Sequence, residues 1–585
     1  MPELPDQPAR SAPRARCTNL WVVPLAGILA GALLWGYHAR FWWPTDEGVY
    51  AHVAARVAAG EVLNRDVQDL HLGYVNLLHA GAWRWFGPDL LSLRWPLVVA
   101  GTLAAMLAAW LLCGHPVGMA LGAGLVTAAL SIPLFLDPTA NWYCLPLLFL
   151  LAALLGRAPQ PRRRALFLAG CVLGLMFGVR QLSAVLVAPG VALRVLCAPG
   201  CARAPSAWAG RVVLALAALG YGLYVKRAGD GVAFVLFGLG PLCVLGWAIA
   251  RCRARMRRVL RTGGWLAGGA LLALAPLCVY HLAHGSLGWW IDDTVIAALR
   301  LPRLPFFDLA SYGTIGVLAF QALFDGTVAG VLNGLFWLVA LVAPAGLAWR
   351  LFTRLRRAGD DPLEPGLVVP ILGLMYAAVA VHYAIPIYLS FALAPVLVGH
   401  LWLSAAGTRR VRWATLAALL ALVAVGLSYQ AAQPLSRGLE GTLRGDRMAA
   451  NTPLGIPHAS LRSTRQDAER YRKLVRMIDQ LTADDAAIFA VPWAPELFVL
   501  ADRRNPFRFY NTAFGLRSER DLATASEHLR RDPPAMVLYQ PQDKYMTPLA
   551  ERLMDEVRSR YRLIGSRYGF EVYLDPRQQR SVPRS

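Results

Sequence analysis

Charge is scarce in this sequence. Asp, Glu, Lys and Arg make up 16% of its 585 residues, against about 25% in an ordinary soluble domain. Acids are the scarcer sign, 36 against 58 bases. Apolar residues take their place at 56%, and mean hydropathy is +0.44. Many apolar runs reach or approach the roughly 20 residues that cross a bilayer, which excludes a soluble globular chain. Cysteine is sparse too: nine are present and none follows Cys278, so a folded C-terminal region has to hold without disulfides. Cys197 and Cys201 form a CxxxC in a basic loop, but no further Cys or His accompanies them, and no zinc site is expected there. There is no P-loop, no GxGxxG before a strand and no internal repeat. No small-residue cleavage site follows the first apolar run, from about Leu20, so it is read as a retained span.

The net charge of +22 and pI near 10.1 would suggest nucleic acid in a soluble protein. In a membrane protein they imply no such partner, because Lys and Arg collect in cytoplasmic loops. The arginines do cluster: Arg162–Arg164; Arg251, Arg253, Arg255, Arg257, Arg258 and Arg261; Arg350, Arg354, Arg356 and Arg357; Arg409, Arg410 and Arg412. Hydropathy predicts about thirteen spans, at 20–39, 95–113, 116–135, 141–156, 165–179, 182–197, 211–225, 231–250, 263–283, 327–349, 366–383, 385–403 and 411–428. With the N-terminus inside, all four clusters fall in the cytoplasm, and the odd count puts the C-terminus outside. The expected fold is therefore mainly α: a basic cytoplasmic tail over 1–19, a polytopic membrane domain over 20–428 with an outer loop at 40–94, and an extracytoplasmic α/β domain over 429–585.

The C-terminal pattern supports the last assignment. "STRQDAERYRKLVRMIDQL" predicts an amphipathic helix capped by Ser463 or Thr464. "AAIFAV" and "AMVLYQ" predict short buried strands, "SERDLATASEHLRR" a second helix, and "YRLIGSRYGFEVYLD" a hairpin.

Within the membrane domain the acids are most numerous in the first outer loop, "TDEGVYAHVAARVAAGEVLNRDVQDLHLG". Thr45 is the expected N-cap of a helix lying along the membrane surface. Asp46 and Glu47 fall in its first turn, where the helix dipole keeps an acid ionised. Val49, Val53, Ala54 and Val57 form one stripe, and Gly60 is the stop. An isolated TDE is ordinarily just a helix start. Here the segment from Asn64 adds two acids, two histidines and a second amphipathic stretch running to Arg94, more than a solvated loop needs. An ionised, anchored carboxylate at a membrane surface is what a general base requires.

This loop resembles the first extracytoplasmic loop of the GT-C class of glycosyltransferases, in the bacterial branch that includes relatives of protein O-mannosyltransferases and lipid A aminoarabinose transferases. The matching residues are Asp46–Glu47, Tyr50, Gly60, Arg65–Asp66, Asp69, His71, Phe86–Gly87 and Arg94. The family commonly has a Pro beside the His, and "HLG" here departs from that. Weaker likeness runs through "DPTANWYCLPLLFL", "GVRQLSAVLVAPG", "HGSLGWW", "HYAIPIYLSFALAP" and "VPWAPELFVLADRRNPFRF".

The resemblance implies a sugar, hexosyl or pentosyl, carried on a polyprenyl phosphate. It implies inverting transfer to a glycan, lipid or protein acceptor on the outer face of a bacterial inner membrane. Asp46 is the expected general base, with Glu47 and Asp137 as further acids. Tyr50, Arg65, Asp66, Asp69, His71 and Arg94 line the substrate loop. The departing lipid phosphate needs cations and dipoles. Arg180, with Gln181, interrupts an apolar run at an outer helix end, and His382 and Tyr383 end another; an ionisable residue at such depth either snorkels or serves a site. Asp137 before Pro138 is either a turn residue or a second acid, and Asp292 and Asp293 are expected only to cap an outer helix. No cofactor is expected. A divalent metal is not required, because the leaving group is a phosphate and the acids are scattered. A transporter or a non-catalytic envelope-assembly protein is the alternative; transporters usually show matched broken helices, absent here.

Overall fold

The computed structural model describes residues 19–198, 208–300, 311–357, 363–430 and 450–577. The basic tail up to residue 18, Cys201 and residues 431–449, beside the expected domain boundary, lie outside the described residues.

Each of the thirteen expected spans is a helix. Among the described residues nine are long and apolar enough to cross a membrane: Leu90–Leu111, Val117–Leu134, Trp208–Ala228, Gly231–Arg251, Met256–Ala283, Val328–Arg357, Pro365–His382, Pro386–Ala405 and Arg409–Tyr429. The other four, Val22–Tyr37, Ala140–Gly156, Arg163–Val179 and Gln181–Leu196, have 16 or 17 residues. Close approach of backbones explains one tight pair. Helix Arg163–Val179 carries Gly170, Gly174 and Gly178 at four-residue spacing. A Cβ on Gly170 would lie 2.1 Å from the Leu266 carbonyl oxygen, and one on Gly174 2.6 Å from that of Ala270. Only glycine lets helix Met256–Ala283 come this near, the small-xxx-small solution of membrane helices. Gly178 continues the stripe against the Tyr74 ring.

Over the helix ends lies an outer layer. The first loop supplies helices Pro44–Ala58 and Tyr74–Phe86. The C-terminal unit, 450–577, is α/β. Helix Arg465–Leu481 is capped by Thr464, whose hydroxyl accepts from Asp467 N at 3.1 Å. Strand Ile488–Val491 runs parallel to Met536–Tyr539, which pairs antiparallel with Phe570–Leu574, itself antiparallel to Arg562–Arg567. Helices Glu519–Arg531 and Pro548–Arg560 complete it.

The two parts share a hydrophobic core. Trp42, Val53, Ala54, Leu63 and Val67 of the first loop pack with Leu474, Ile478, Ile488 and Leu497 of the α/β unit. Burial of such side chains contributes about 1.5–3 kcal/mol each, so the first loop and the α/β unit fold as one layer. Three expectations are corrected by this. Helix Pro44–Ala58 buries far more than one stripe: every residue from Glu47 to Ala54 is buried, and Gly48 faces the Glu496 backbone so closely that a Cβ would sit 2.5 Å from its nitrogen. Thr45 is not its cap: Trp43 holds that position and Pro44 opens the helix, since proline needs no N–H partner there. Asp292 and Asp293 stand where helix Leu287–Ile291 passes into the helical segment Asp292–Ala297, but they do more than end a helix: they pair with Arg517 and Arg508 of the α/β unit. Gly60 does end the helix, at φ +103°, a conformation natural to glycine.

Candidate active site

The site starts from a sharp turn. Helix Val22–Tyr37 ends and Pro44–Ala58 begins within seven residues, with Phe41 at φ +59°. Such a turn leaves carbonyls without helical partners. Arg94, in the first turns of helix Leu90–Leu111, collects them: Nη1 donates to His38 O (2.8 Å) and Arg40 O (3.0 Å), and Nη2 to Phe41 O (2.8 Å). Its Nε and Nη2 also donate to the two Glu47 carboxylate oxygens, at 2.7 Å each. Glu47 and Arg94 are wholly buried. Both oxygens of Glu47 are thus committed, and the pair positions the neighbouring Asp46.

Asp46 is only half-buried and accepts from the Trp43 side chain. Asp137, Tyr50, Tyr383, Tyr388 and Tyr545 lie within its electrostatic reach. Burial raises its pKa from 3.8 to about 6, opposed by Lys544 and the Trp43 hydrogen bond. Desolvation makes it a stronger base than a solvated carboxylate and leaves it mostly ionised at neutral pH. Asp137, in the turn after Leu136, is buried with one carboxylate oxygen unpartnered. Burial first, then the negative charges of Asp46 and Glu47, push its pKa well above the usual range. The two carboxyls titrate as a coupled pair, with environments that favour one proton on Asp137 and a charge on Asp46.

A polar layer backs this pair. The Tyr50 hydroxyl donates to Thr139 Oγ1 at 3.2 Å, and its ring lies 5.8 Å from His71 and 5.4 Å from His79. Asp69 Oδ1 accepts the His71 backbone N–H at 2.6 Å and stands 2.7 Å from Nδ1. Burial alone would raise Asp69, yet His71 holds it below the ordinary carboxylate value.

The opposite wall is aromatic and cationic. Arg180 breaks the chain between helices Arg163–Val179 and Gln181–Leu196 with an extended backbone, and is buried. Its guanidinium lies 5.6 Å from the Tyr388 ring centre. Tyr388 is 5.7 Å from His382 and 6.0 Å from Tyr383, and Lys544 lies 5.7 Å from Tyr383.

Asp46, Asp137, Tyr50, His71, Arg180, His382 and Tyr383 are therefore gathered around one place. Gln181 is used elsewhere: its amide donates to Leu70 O (3.0 Å) and Thr294 O (3.3 Å), tying the helix start to the first loop. Arg65 and Asp66 pair with each other at 2.9 Å near the surface. Tyr388, Lys544 and Tyr545 escaped the sequence reading. Tyr388 follows the "HY" pair by five residues, in the first turn of the next helix, and that nearness could have flagged it; Lys544 and Tyr545 are more than 150 residues further on in sequence. Among the described residues no three His, Cys, Asp or Glu side chains converge as metal ligands. A separate cleft of about 1000 Å³, lined by Arg56, Trp289, Arg300, Arg508 and Arg517, includes none of the gathered residues.

No family model and no curated protein matches the chain. Among solved structures it is similar to ArnT from Cupriavidus metallidurans bound to undecaprenyl phosphate, at 14% identity over 95% of this chain and 97% of that one, TM-score 0.38. The apo state of the same protein gives 14% over 94% and 97%, TM-score 0.39. The apo oligosaccharyltransferase of Archaeoglobus fulgidus gives 13% over 89% and 69%, TM-score 0.44.

Proposed function

We propose that this chain is a membrane glycosyltransferase that moves a sugar from a polyprenyl-phosphate donor to an acceptor hydroxyl on the outer face of a bacterial inner membrane. The observation that carries the reading is the Asp46–Asp137 pair: two acids in one place, one on a fixed helix start, the other buried with an unpartnered oxygen and shifted towards its protonated form. Environments that split the pKa values of neighbouring acids are how sites assign acid and base roles. Asp46 takes the proton of the acceptor hydroxyl as it attacks the anomeric carbon from the side opposite the phosphate, inverting the centre. Asp137, protonated, donates a hydrogen bond within the site. Arg180 receives the phosphate charge as the glycosidic oxygen departs. The Glu47–Arg94 pair orients Asp46, and His71, Tyr50 and Asp69 form the wall behind it. The N-terminus is then cytoplasmic, with the α/β unit outside.

Supporting the same reading, the acids and Arg180 stand at the ends of apolar helices, where a lipid-borne phosphate meets water. A transporter would place its ionisable groups along a path near the midplane. Release of labelled sugar from a polyprenyl-phosphate donor by the purified protein, followed by thin-layer separation, tests the reading. Donor cleavage dependent on Asp46 is expected, and an inert donor in the presence of cell-envelope lipid and glycan acceptors would contradict it.

A further inference from the structure

Arginine carries nearly all the positive charge of this chain: of 58 basic residues only Lys226, Lys473 and Lys544 are lysine. One of the three is at the site, and it comes from the soluble unit. Lys544 sits in the loop between strand Met536–Tyr539 and helix Pro548–Arg560, and that loop crosses to the membrane domain. Its Nζ lies 5.7 Å from the Tyr383 ring and 5.1 Å from the Tyr545 ring. It is exposed, and the described residues give its ammonium ring faces but no hydrogen bond or ion pair. Tyr383 in turn packs 6.0 Å from Tyr388, beside which Arg180 lies at 5.6 Å. Two cations, one from each domain, thus flank one tyrosine wall that Asp46 faces.

We propose that Lys544 is a ligand of the donor phosphate, carried into the active site by the soluble unit to act with Arg180. This rests on the glycosyltransferase reading. The charges explain why a second cation is needed. Before transfer the donor phosphodiester bears one negative charge and Asp46 another. Transfer forms the bond from acceptor oxygen to anomeric carbon and breaks the bond from that carbon to the phosphate oxygen, which keeps the electron pair. The acceptor proton goes to Asp46. Afterwards Asp46 is neutral and the polyprenyl phosphate is a monoester dianion. The site holds two negative charges throughout, moving from Asp46 towards the phosphate, and Arg180 and Lys544 supply two positive ones. Arg180 alone would leave the leaving group half compensated in a poorly solvated place. Lysine suits the role: its compact ammonium carries three donors on a flexible stem and follows a phosphate that gains charge.

Lys544 also acts on Asp46 directly, being the first of the influences that oppose its burial. The other groups facing Asp46 are Asp137 from its turn, Glu47 with Arg94 behind it, Tyr50 on its own helix, Tyr383 and Tyr388 from the helix ends, and Tyr545 with Asp543 in the lysine's loop. Arg180 stands beside Tyr388 and Arg94 is held by Glu47, and of these cations only Lys544 is among the influences on Asp46. Losing Lys544 therefore moves the Asp46 titration upwards.

The full-length protein in nanodiscs is titrated with farnesyl monophosphate, a short polyprenyl phosphate, as wild type, Lys544→Gln and Lys544→Arg, each checked for a monodisperse elution profile. Transfer rates are recorded against pH. Lys544→Gln is expected to weaken binding roughly 10- to 100-fold, the effect of one charge-assisted hydrogen bond. It is expected to shift the acid limb of the rate profile to higher pH. Lys544→Arg keeps the charge and stays near wild type in both. A loop residue of structural value only would leave the limb in place. Wild-type binding with Lys544→Gln unchanged in affinity, or with its acid limb unmoved, overturns the role of Lys544 alone. A wild type that does not bind the phosphate overturns the glycosyltransferase reading itself.

Discussion

Glu47 and Arg94 meet in two parallel hydrogen bonds of 2.7 Å, with both side chains fully buried. The same guanidinium holds the carbonyls of His38, Arg40 and Phe41, so one side chain welds the end of the first helix to the start of the helix that bears Asp46. Neighbouring acids in one sequence motif thus have different work: Glu47 builds the corner, and Asp46 is presented by it.

That division is measurable. Removing one partner of a buried ion pair costs about 3–5 kcal/mol, because the other charge is stranded. Glu47→Gln is expected to lower the thermal unfolding midpoint sharply, and Arg94→Lys to do the same, since a point charge cannot replace the fork. Asp46→Asn should leave the midpoint near wild type. Equal midpoints for Glu47→Gln and wild type would return Glu47 to the list of reacting acids.

The junction between the domains rests on a second buried carboxylate. Asp293 Oδ2 and Oδ1 accept from Arg508 at 2.7 and 2.8 Å, with Asn64 and Gln68 adding bonds of 3.1 and 3.0 Å. Burial raises Asp293 to about 6 even with Arg508 opposing it. Arg508→Ala is expected to loosen the α/β unit from the membrane domain and speed its limited proteolysis, while Asp293→Asn, which strands the partly exposed Arg508 rather than a wholly buried carboxylate, has the smaller effect. Identical cleavage rates for all three proteins would show that the pair does not hold the junction.

The contrast between these pairs shows what the sequence can and cannot convey. Spans follow from runs of apolar residues, and all thirteen are helices, because hydropathy is a local property. The turn at Gly60 and the Thr464 cap were legible for the same reason. Thr45 was misread because Pro44 next to it makes an equally good helix start, and tertiary packing chose between them. Arg94 lies 47 residues from Glu47 and Arg508 215 from Asp293; such pairings exist only once the chain has folded. The enclosure of helix Pro44–Ala58 could not be seen from its own stripe of valines, since the cover comes from Glu496–Leu500.

Glu496 links stability to pH. Burial above all raises its carboxyl from 4.5 to about 7, against the stabilising hydrogen bond from Tyr471. The folded protein therefore keeps a proton that the unfolded chain loses near 4.5. The stability from this group is complete below that value and is lost as pH rises towards 7. Gln has no proton to lose and still accepts from Tyr471 Oη, now at 3.0 Å. At about 1.4 kcal/mol per pKa unit, Glu496→Gln should exceed wild type by roughly 3 kcal/mol at pH 8 and match it near pH 4. A gap of the same size at both pH values would show that Glu496 is not the titrating group.

Topology follows from contacts as well as charge. The soluble unit shares a core with the first loop, so both occupy one face, opposite the arginine-rich loops. Alkaline phosphatase fused after Ser428 is expected to be active, and fused after Arg258 inactive. The reverse pattern would place Asp46 in the cytoplasm and remove the outer-face reaction.

The most direct measurement is the rate of sugar transfer from a polyprenyl-phosphate donor as a function of pH, per folded molecule, for wild type and Asp46→Asn. Wild type should gain activity as pH rises through about 6, where Asp46 gives up its proton, and Asp46→Asn should be slower by a general-base factor of roughly 10²–10⁴ across the range. Retention of more than about a tenth of wild-type turnover in Asp46→Asn, short of the low end of that factor, would contradict Asp46 as the base.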